Sequence, residues 1–464
     1  MLTKTHYLAY RQCPKQLWLA LHQLHLATPP TPLQQHALQI GQDVDQHARA
    51  FMPATAEPQF QTTLTAADLL IRTDILLPHP EGGTHLIEVK ATSRYKPAEH
   101  LPDIAFQLHV ARLAGLEVRQ VSLMHLNPAC RAPDLSNLFV ITDLTAEAEQ
   151  QQVQIAQDVA EMRRIAAETT SPDIFIGKQC QKKSDPCAFV PHCWATPNGI
   201  TVYDIPHLSK QNEEALRQAQ IVQLADIPTQ VHLTELQSKF VTFHRQQEAE
   251  INRPAIQVEL AQLDYPLHFF DFETISPAIP THAGTTPYQQ LPFQYSCHIL
   301  HADGTLKHRQ FLHTTAADPR PTLVAQLVRD IQPEGHIVVY SKQFERERLR
   351  ELAVAFPEYT AELESIIGRL WDQLVLIRNH YHHPRFNASN SLKSVLPVLV
   401  PHLTYKTLGV QNGGQAQATW AKLIASPDTA ERTHLADQLL AYCHLDTLAM
   451  VEIHKHLLAM SNEQ

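Results

Sequence analysis

The chain has 464 residues, 44% hydrophobic and 18% charged, a balance that excludes a disordered or fibrous protein and asks for two or three folded domains. A formal net charge of −10 gives no direct sign of a nucleic-acid binder, although catalytic carboxylates count toward that total and a local basic groove can coexist with it. No apolar run reaches a membrane span, and Lys, Arg, His and Gln interrupt the patch LWLALHQLHLA, so neither a secretory leader nor a membrane anchor is expected. The expected compartment is the cytoplasm, where cysteines stay reduced. The 29 histidines are scattered, mostly without ligand spacing, and are expected as surface polar residues.

In chain order, Cys13 precedes an amphipathic helix in RQCPKQLWL. Two apolar strands follow, Ile71–Leu77 and Thr84–Ala91, joined by a turn containing Pro78, Pro80, Gly82 and Gly83. Glu88 and Lys90 share one face of the second strand, and symmetric pairing about the turn sets Asp74 opposite Glu88. Two carboxylates facing across a ladder repel unless something neutralises them. A divalent cation does so, and Lys90 beside it suits a site that handles phosphate oxygens. The plain alternative is the solvent face of an ordinary hairpin. Strands Val118–Leu126 and Leu138–Asp143 and a polar helix Thr145–Ala167 continue an α/β alternation. Cys180, Cys187 and Cys193 then fall within fourteen residues of polar loop. With Cys13 they supply four thiolates able to hold zinc or an iron–sulfur cluster, although the tight C-x₂₋₄-C pair of structural zinc sites is absent. Cys130, Cys297 and Cys443 are expected to pack as small apolar residues.

The pattern Asp…Glu-x-Lys resembles the PD-(D/E)xK nucleases, in particular their RecB-type branch. A lone N-terminal cysteine, this motif and a terminal three-cysteine group together resemble the iron–sulfur RecB-type nucleases. The resemblance implies a nuclease domain over residues 1–200, with Cys13, Cys180, Cys187 and Cys193 binding a 4Fe–4S cluster that staples the domain's ends. It further implies Mg²⁺ or Mn²⁺ on Asp74, Glu88 and His47, the last in GQDVDQHARAF, with Lys90 catalytic. Gln107, in DIAFQLHVARLAGL, matches the family glutamine that orients DNA or the lysine. Ala111 stands where the family carries an aromatic residue.

ATPNGITVYDIP marks a boundary, and helices Ser209–Gln220 and Thr234–Glu248 make residues 201–260 a helical connector. The final domain, 261–464, opens on the apolar strand of LDYPLHFFDFETISP, where Asp271 and Glu273 share a face and again ask for a cation. Strands Phe293–His301, Thr305–Leu312 and His336–Tyr340 follow, and a long terminal helix carries Tyr442 and Asp446 four residues apart on one face. Strand DxE with a terminal Tyr-x₃-Asp resembles the DnaQ-like, DEDD-type 3′–5′ exonucleases of the RNase H-like fold. The resemblance implies two metal ions on Asp271, Glu273, Glu345 and Asp446, with Tyr442 beside the attacking water. Glu345 stands where the family has Asp, and Asp372 is a substitute candidate.

The arrangement as a whole, with the segments PYQQLPFQYSCH and NSLKSVLP, resembles the domain-of-unknown-function 2779 family. It implies an α/β protein that joins a RecB-type nuclease, a connector and a DnaQ-like exonuclease. The expected activity is metal-dependent hydrolysis of DNA, at single strands or ends, in repair, processing or defence. The alternatives are a nucleic-acid-binding adaptor that no longer cuts and an RNA-processing nuclease. Tyr288, Phe293 and Tyr295 are candidates for stacking on bases, or for core positions.

Overall fold

The computed structural model describes residues 1–181, 186–194 and 200–462. The chain divides into two compact units, one of residues 1–198, 213–221 and 277–288, the other of 199–212, 222–276 and 289–464. Both are mixed α/β. The stretch read as a connector forms no unit of its own, since 213–221 falls in the first unit and the remainder in the second.

The first unit begins with a two-residue strand β1 (Leu2–Thr3) and helices α1 (Lys4–Gln12), α2 (Pro14–His22) and α3 (Pro32–Phe51). Thr3 and Thr31 start α1 and α3 through reciprocal capping boxes with His6 and Gln34. There follow β2 (Gln59–Ala66), β3 (Leu69–Pro78), β4 (Thr84–Lys90), α4 (Pro97–Leu113), β5 (Val118–Leu126) and β6 (Phe139–Asp143). The expected helix 145–167 is divided at Gln151 into α5 (Thr145–Gln150) and α6 (Gln152–Ala167), and α7 (Val190–Cys193) is a single turn.

The strands pair in the order β1-β3-β4-β5-β6, with β2 also on β3. The hairpin register Ile75↔Ile87 brings Asp74 opposite Glu88 one step further along. Ile75 and Ile87 pack into the core under α3, whereas Leu76 and Leu86 join the core of α1, α2, α4 and α6. Asp74 and Glu88, two residues from Leu76 and Leu86, therefore look toward α1 and α4. β2 occupies one edge of β3 along Leu69–Leu76, so β1, paired at Leu2↔Leu69, runs along the edge that β4 uses. The chain thus leaves β1 into α1 beside β4. Strand β2 escaped sequence reading because no residue in it is buried, which removes the alternation that marks a strand.

Most of α8 (Lys210–Gln218) belongs to the first unit. The second unit holds α9 (Glu235–Gln246), β7 (Glu250–Ile251), α10 (Arg253–Leu260), β8 (Leu267–Ile275), β9 (Leu291–Leu300) and β10 (Leu306–Leu312). It continues with α11 (Arg320–Asp330), β11 (Ile337–Val339), α12 (Lys342–Ala355), α13 (Thr360–Gly368), β12 (Leu370–Asp372), α14 (Gln373–His380) and β13 (Tyr381–His382). Helices α15 (Leu392–Leu399), α16 (Gly413–Ala425) and α17 (Thr429–Asn462) complete it. Its five-stranded sheet runs β10-β9-β8-β11-β12, antiparallel up to β8 and parallel beyond it. Phe270 and Phe272 of β8 enter the core of α11, α12 and α13, and Leu267 and Phe269 enter the one formed with α17. The sheet is therefore buried on both faces, which is why β8 reads as an almost unbroken apolar run. No described helix is long and apolar enough to cross a membrane.

Candidate functional site

Two groups of carboxylates stand out, one in each unit. In the second, alternation along β8 turns Asp271 and Glu273 to the face that α17 covers, and α17 contributes Tyr442 and Asp446. Asp271, Glu273 and Asp446 each bring a carboxylate oxygen within 4.8 Å of the other two. They line an open cleft with Tyr340, Lys393 and Tyr442. Glu345, in the first turn of α12, is 2% exposed, and its Oε2 has no hydrogen-bond partner. Gly413 brings the start of α16 close to Glu273, since a Cβ there would lie 3.8 Å from its Oε2.

Burial, then the charge of Asp446, holds the Asp271 carboxyl well above the usual carboxylate range. Burial followed by Asp271 and Asp446 does the same to Glu273, and burial followed by Asp271 to Glu345. Burial pushes Asp446 up to about 6, against the Tyr405 hydroxyl, Lys393 and Tyr442, which favour its charged form. Tyr405 donates to Asp446 Oδ1 at 2.6 Å, and Lys393 Nζ donates to the Tyr442 hydroxyl at 2.9 Å. Lys393 also lies 4.9 and 5.2 Å from the Tyr442 and Tyr405 ring centres. Three carboxylates thus face the ammonium of Lys393, and Glu345, whose charge interacts with those of Asp271 and Glu273, adds a buried oxygen without a partner. This donor set fits hard divalent cations.

Asp372, the substitute for Glu345, is spent on the backbone. Its two oxygens accept from the amides of Ser341, Lys342 and Leu374 at 2.8–3.1 Å. Ser341 has φ +91, a left-handed conformation for a residue with a Cβ, and it is the turn from which α12 presents Glu345.

The first unit solves the same problem differently. Glu88 is 1% exposed, and its Oε1 accepts from Lys4 Nζ and Lys90 Nζ, each at 2.7 Å, while Gln107 Nε2 donates to Oε2 at 2.6 Å. Asp103 of α4 accepts from Lys90 at 2.6 Å and from Gln107 at 3.1 Å, with Lys4 3.5 Å away. Asp74 accepts from the Val89 amide at 2.8 Å and from Gln61 Nε2 at 3.2 Å. Gln61 has φ +52 and also reaches Asp45. Burial and the charge of Glu88 raise Asp74 to about 7, with Lys4 opposing. Burial would raise Glu88 too, but Lys4 and Lys90 outweigh it and hold that carboxyl below its ordinary range. Glu88 and Asp103 keep Lys90 charged against its own burial. A cation fits this site only in part, because two ammoniums already occupy Glu88.

Of the residues expected here, Asp74, Glu88, Lys90 and Gln107 are brought together. His47 is not among them: it lies exposed on α3, its Nδ1 2.8 Å from the carbonyl of Asp43 one turn back. Sequence reading missed Lys4, Asp103, Lys393 and Tyr405. Asp103 and Gln107 are four apart on α4, a spacing that places them on one face. Lys4 carried no local signal, since only the β1 pairing brings it here. Ala111 is fully buried in the core.

Cys13, Cys180, Cys187 and Cys193 are free thiols that line one small pocket with Leu19 and Phe189, but among the described residues no three of them bring their sulfurs within 4.8 Å of one another. Burial raises the thiols of Cys180 and Cys193, and carries Cys187 to about 11. Cys130, Cys297 and Cys443 are buried. Phe293 and Tyr295 are fully buried core residues, and the Tyr288 hydroxyl donates to the carbonyl of Ala91.

Residues 268–391 match the family model described as Domain of unknown function (DUF2779). That range includes Asp271, Glu273 and Glu345 and stops short of Lys393, Tyr442 and Asp446. The chain is similar to the "Uncharacterized protein MG366 homolog" of Mycoplasma pneumoniae, 28% identical over 40% of this chain and 31% of that protein. It is also similar to the "Uncharacterized protein UU173" of Ureaplasma parvum, 26% identical over 46% of this chain and 34% of that protein. The chain therefore matches about a third of the length of these relatives. A solved structure titled "Crystal structure of SSO0001" aligns over 42% of this chain and 86% of its own at 11% identity, with a TM-score of 0.27. So loose a likeness carries no argument.

Proposed function

We propose that the protein is a metal-dependent nuclease that hydrolyses phosphodiester bonds of DNA at single strands or ends, with its principal site in the second unit. The observation that supports this reading most is the convergence of Asp271, Glu273 and Asp446 within 4.8 Å of one another, beside a Glu345 oxygen left without a partner. These four residues would hold the cations. A bound pair of Mg²⁺ or Mn²⁺ supplies activation of water and stabilisation of the leaving oxygen. The chain's own groups do the rest. Tyr405 fixes Asp446 through its hydroxyl, and Lys393 holds the Tyr442 hydroxyl at the cleft wall, where it can orient water. Lys393 also offers an ammonium to a phosphate oxygen. This is the work expected of a DnaQ-like exonuclease domain.

The first site is proposed as a RecB-type centre in which Lys4 and Lys90 present positive charge beside Asp74 and Glu88. Its internal neutralisation favours the second reading, an adaptor that binds nucleic acid without cutting at that site. The four cysteines are proposed to hold a 4Fe–4S cluster, supported by the pocket they share. A visible absorption band in protein purified without oxygen tests that assignment, and a colourless protein carrying zinc would replace it.

The test of function is cleavage of end-labelled single-stranded DNA, beside RNA of the same sequence, with Mn²⁺. The reading expects wild type to shorten DNA, and Asp271→Ala to bind it without cutting. Binding without cutting by the wild type would leave the adaptor reading, and a preference for RNA the processing one.

A further inference from the structure

Three imidazoles meet on the sheet of the second unit. His298 of β9 pairs directly with His308 of β10, and α17, which packs across both strands, contributes His444. The rings are 4.3, 4.5 and 4.7 Å apart, and each can place a nitrogen within 4.8 Å of the other two. His298 is buried and the other two are half-buried, so these three are not the scattered surface residues that the sequence suggests.

Hydroxyls hold one nitrogen of each of two rings. His298 Nδ1 lies 2.8 Å from Thr447 Oγ1, His308 Nε2 lies 2.9 Å from Ser296 Oγ, and the two hydroxyls share a hydrogen bond of 2.7 Å. An imidazole tied through one nitrogen presents the other in a fixed direction, which is how metal-ligating histidines are held. Packing alone gives no reason for three basic rings to converge at a half-exposed spot. Three neutral nitrogen donors without a carboxylate offer little to Mg²⁺ or Ca²⁺ and suit zinc or its transition-metal neighbours.

We infer that His298, His308 and His444 form a transition-metal site, with zinc the ion its donors fit and water completing the set at the exposed side. Its ion would pin α17 to the β9–β10 hairpin, two residues from both Tyr442 and Asp446. The inference rests on the imidazoles alone and stands or falls apart from the nuclease reading.

The test is zinc content by mass spectrometry after incubating the full chain with ZnCl₂ and desalting, beside the His308→Gln/His444→Gln double variant. Zinc held by the cysteines is common to both proteins, so the difference reports the imidazoles. The expected result is about one zinc fewer per chain in the variant, and a zinc-induced rise in Tm smaller than that of wild type. Equal zinc in both overturns the site. If circular dichroism shows the double variant unfolded, His444→Gln alone and Co²⁺ substitution decide. Nitrogen-ligated Co²⁺ bands that wild type shows and the single variant loses support the site, and bands identical in both overturn it.

Discussion

Both units gather buried carboxylates, but they balance them differently. Glu88 and Asp103 sit between two lysine ammoniums, with Gln107 bridging them, so that group is largely compensated by the chain itself. Asp271, Glu273 and Asp446 have Lys393 as their neighbouring cation, and burial pushes these three carboxyls and that of Glu345 upward. Burying a charge without a partner is costly, and the group then neutralises by taking a proton or by binding an ion. In the first group Asp74 alone is pushed upward while Glu88 is held down, whereas in the second all four carboxyls are raised. Acidic residues on a strand identify both, and only the count of nearby ammoniums tells them apart.

The largest effect that sharpens this comparison is on cleavage. Asp271→Asn should lower Mn²⁺-dependent shortening of single-stranded DNA by about 10³-fold, which corresponds to roughly 4 kcal/mol of barrier. Glu88→Gln should leave that shortening within about threefold, and rates that fall in the opposite order would break the comparison. Next comes stability. Lys90→Ala strands a buried Glu88 with less compensation and should cost about 3 kcal/mol in urea unfolding, whereas Lys393→Ala should cost less because its partners can protonate.

The pH dependence follows from the same contrast. A carboxyl raised in the folded state contributes stability that is present below its unfolded pKa and is lost as pH rises through the folded value. Metal-free protein should therefore lose stability between about pH 4 and 6 through Asp446, between about pH 4 and 7 through Asp74 of the first unit, and continue to lose it above that through Asp271, Glu273 and Glu345. Mn²⁺ at a hundredfold excess over its Kd should restore about 2.7 kcal/mol at pH 8 and less at pH 5, measured as a shift in Tm. Glu345→Gln should move stability and activity in opposite directions: metal-free unfolding harder by about 1 kcal/mol, cleavage slower by about tenfold. The smallest effect is that of His47→Ala, which should stay within about 0.5 kcal/mol and leave cleavage unchanged, because the ring is exposed.

The sequence was most legible where periodicity is strong. Val118–Leu126 occupies its expected bounds, and the hairpin register that opposes Asp74 to Glu88 follows from the turn between them. Short or exposed elements were opaque: β12 spans three residues and β2 buries none, so neither shows alternation. Within the sites, residues on one strand or helix were readable, and those delivered by distant pairing were not. Lys4 reaches Glu88 through a two-residue strand, and Lys393 reaches Tyr442 from forty-nine positions away. His47 shows the opposite error, in which a motif position was assigned and the helix turned it outward. The His298–His308 pair was within reach, since a hairpin folded about Asp303 opposes them.

The central claim is that the carboxylates of the second unit await divalent cations. Calorimetric titration of Mn²⁺ into the full chain, repeated in buffers of different ionisation enthalpy, measures binding and proton release together. The account predicts binding that expels protons at pH 6–7 and is lost in Asp271→Asn/Asp446→Asn, while Glu88→Gln retains it. Mn²⁺ binding of equal strength in that double variant, or binding with no proton released, would contradict it.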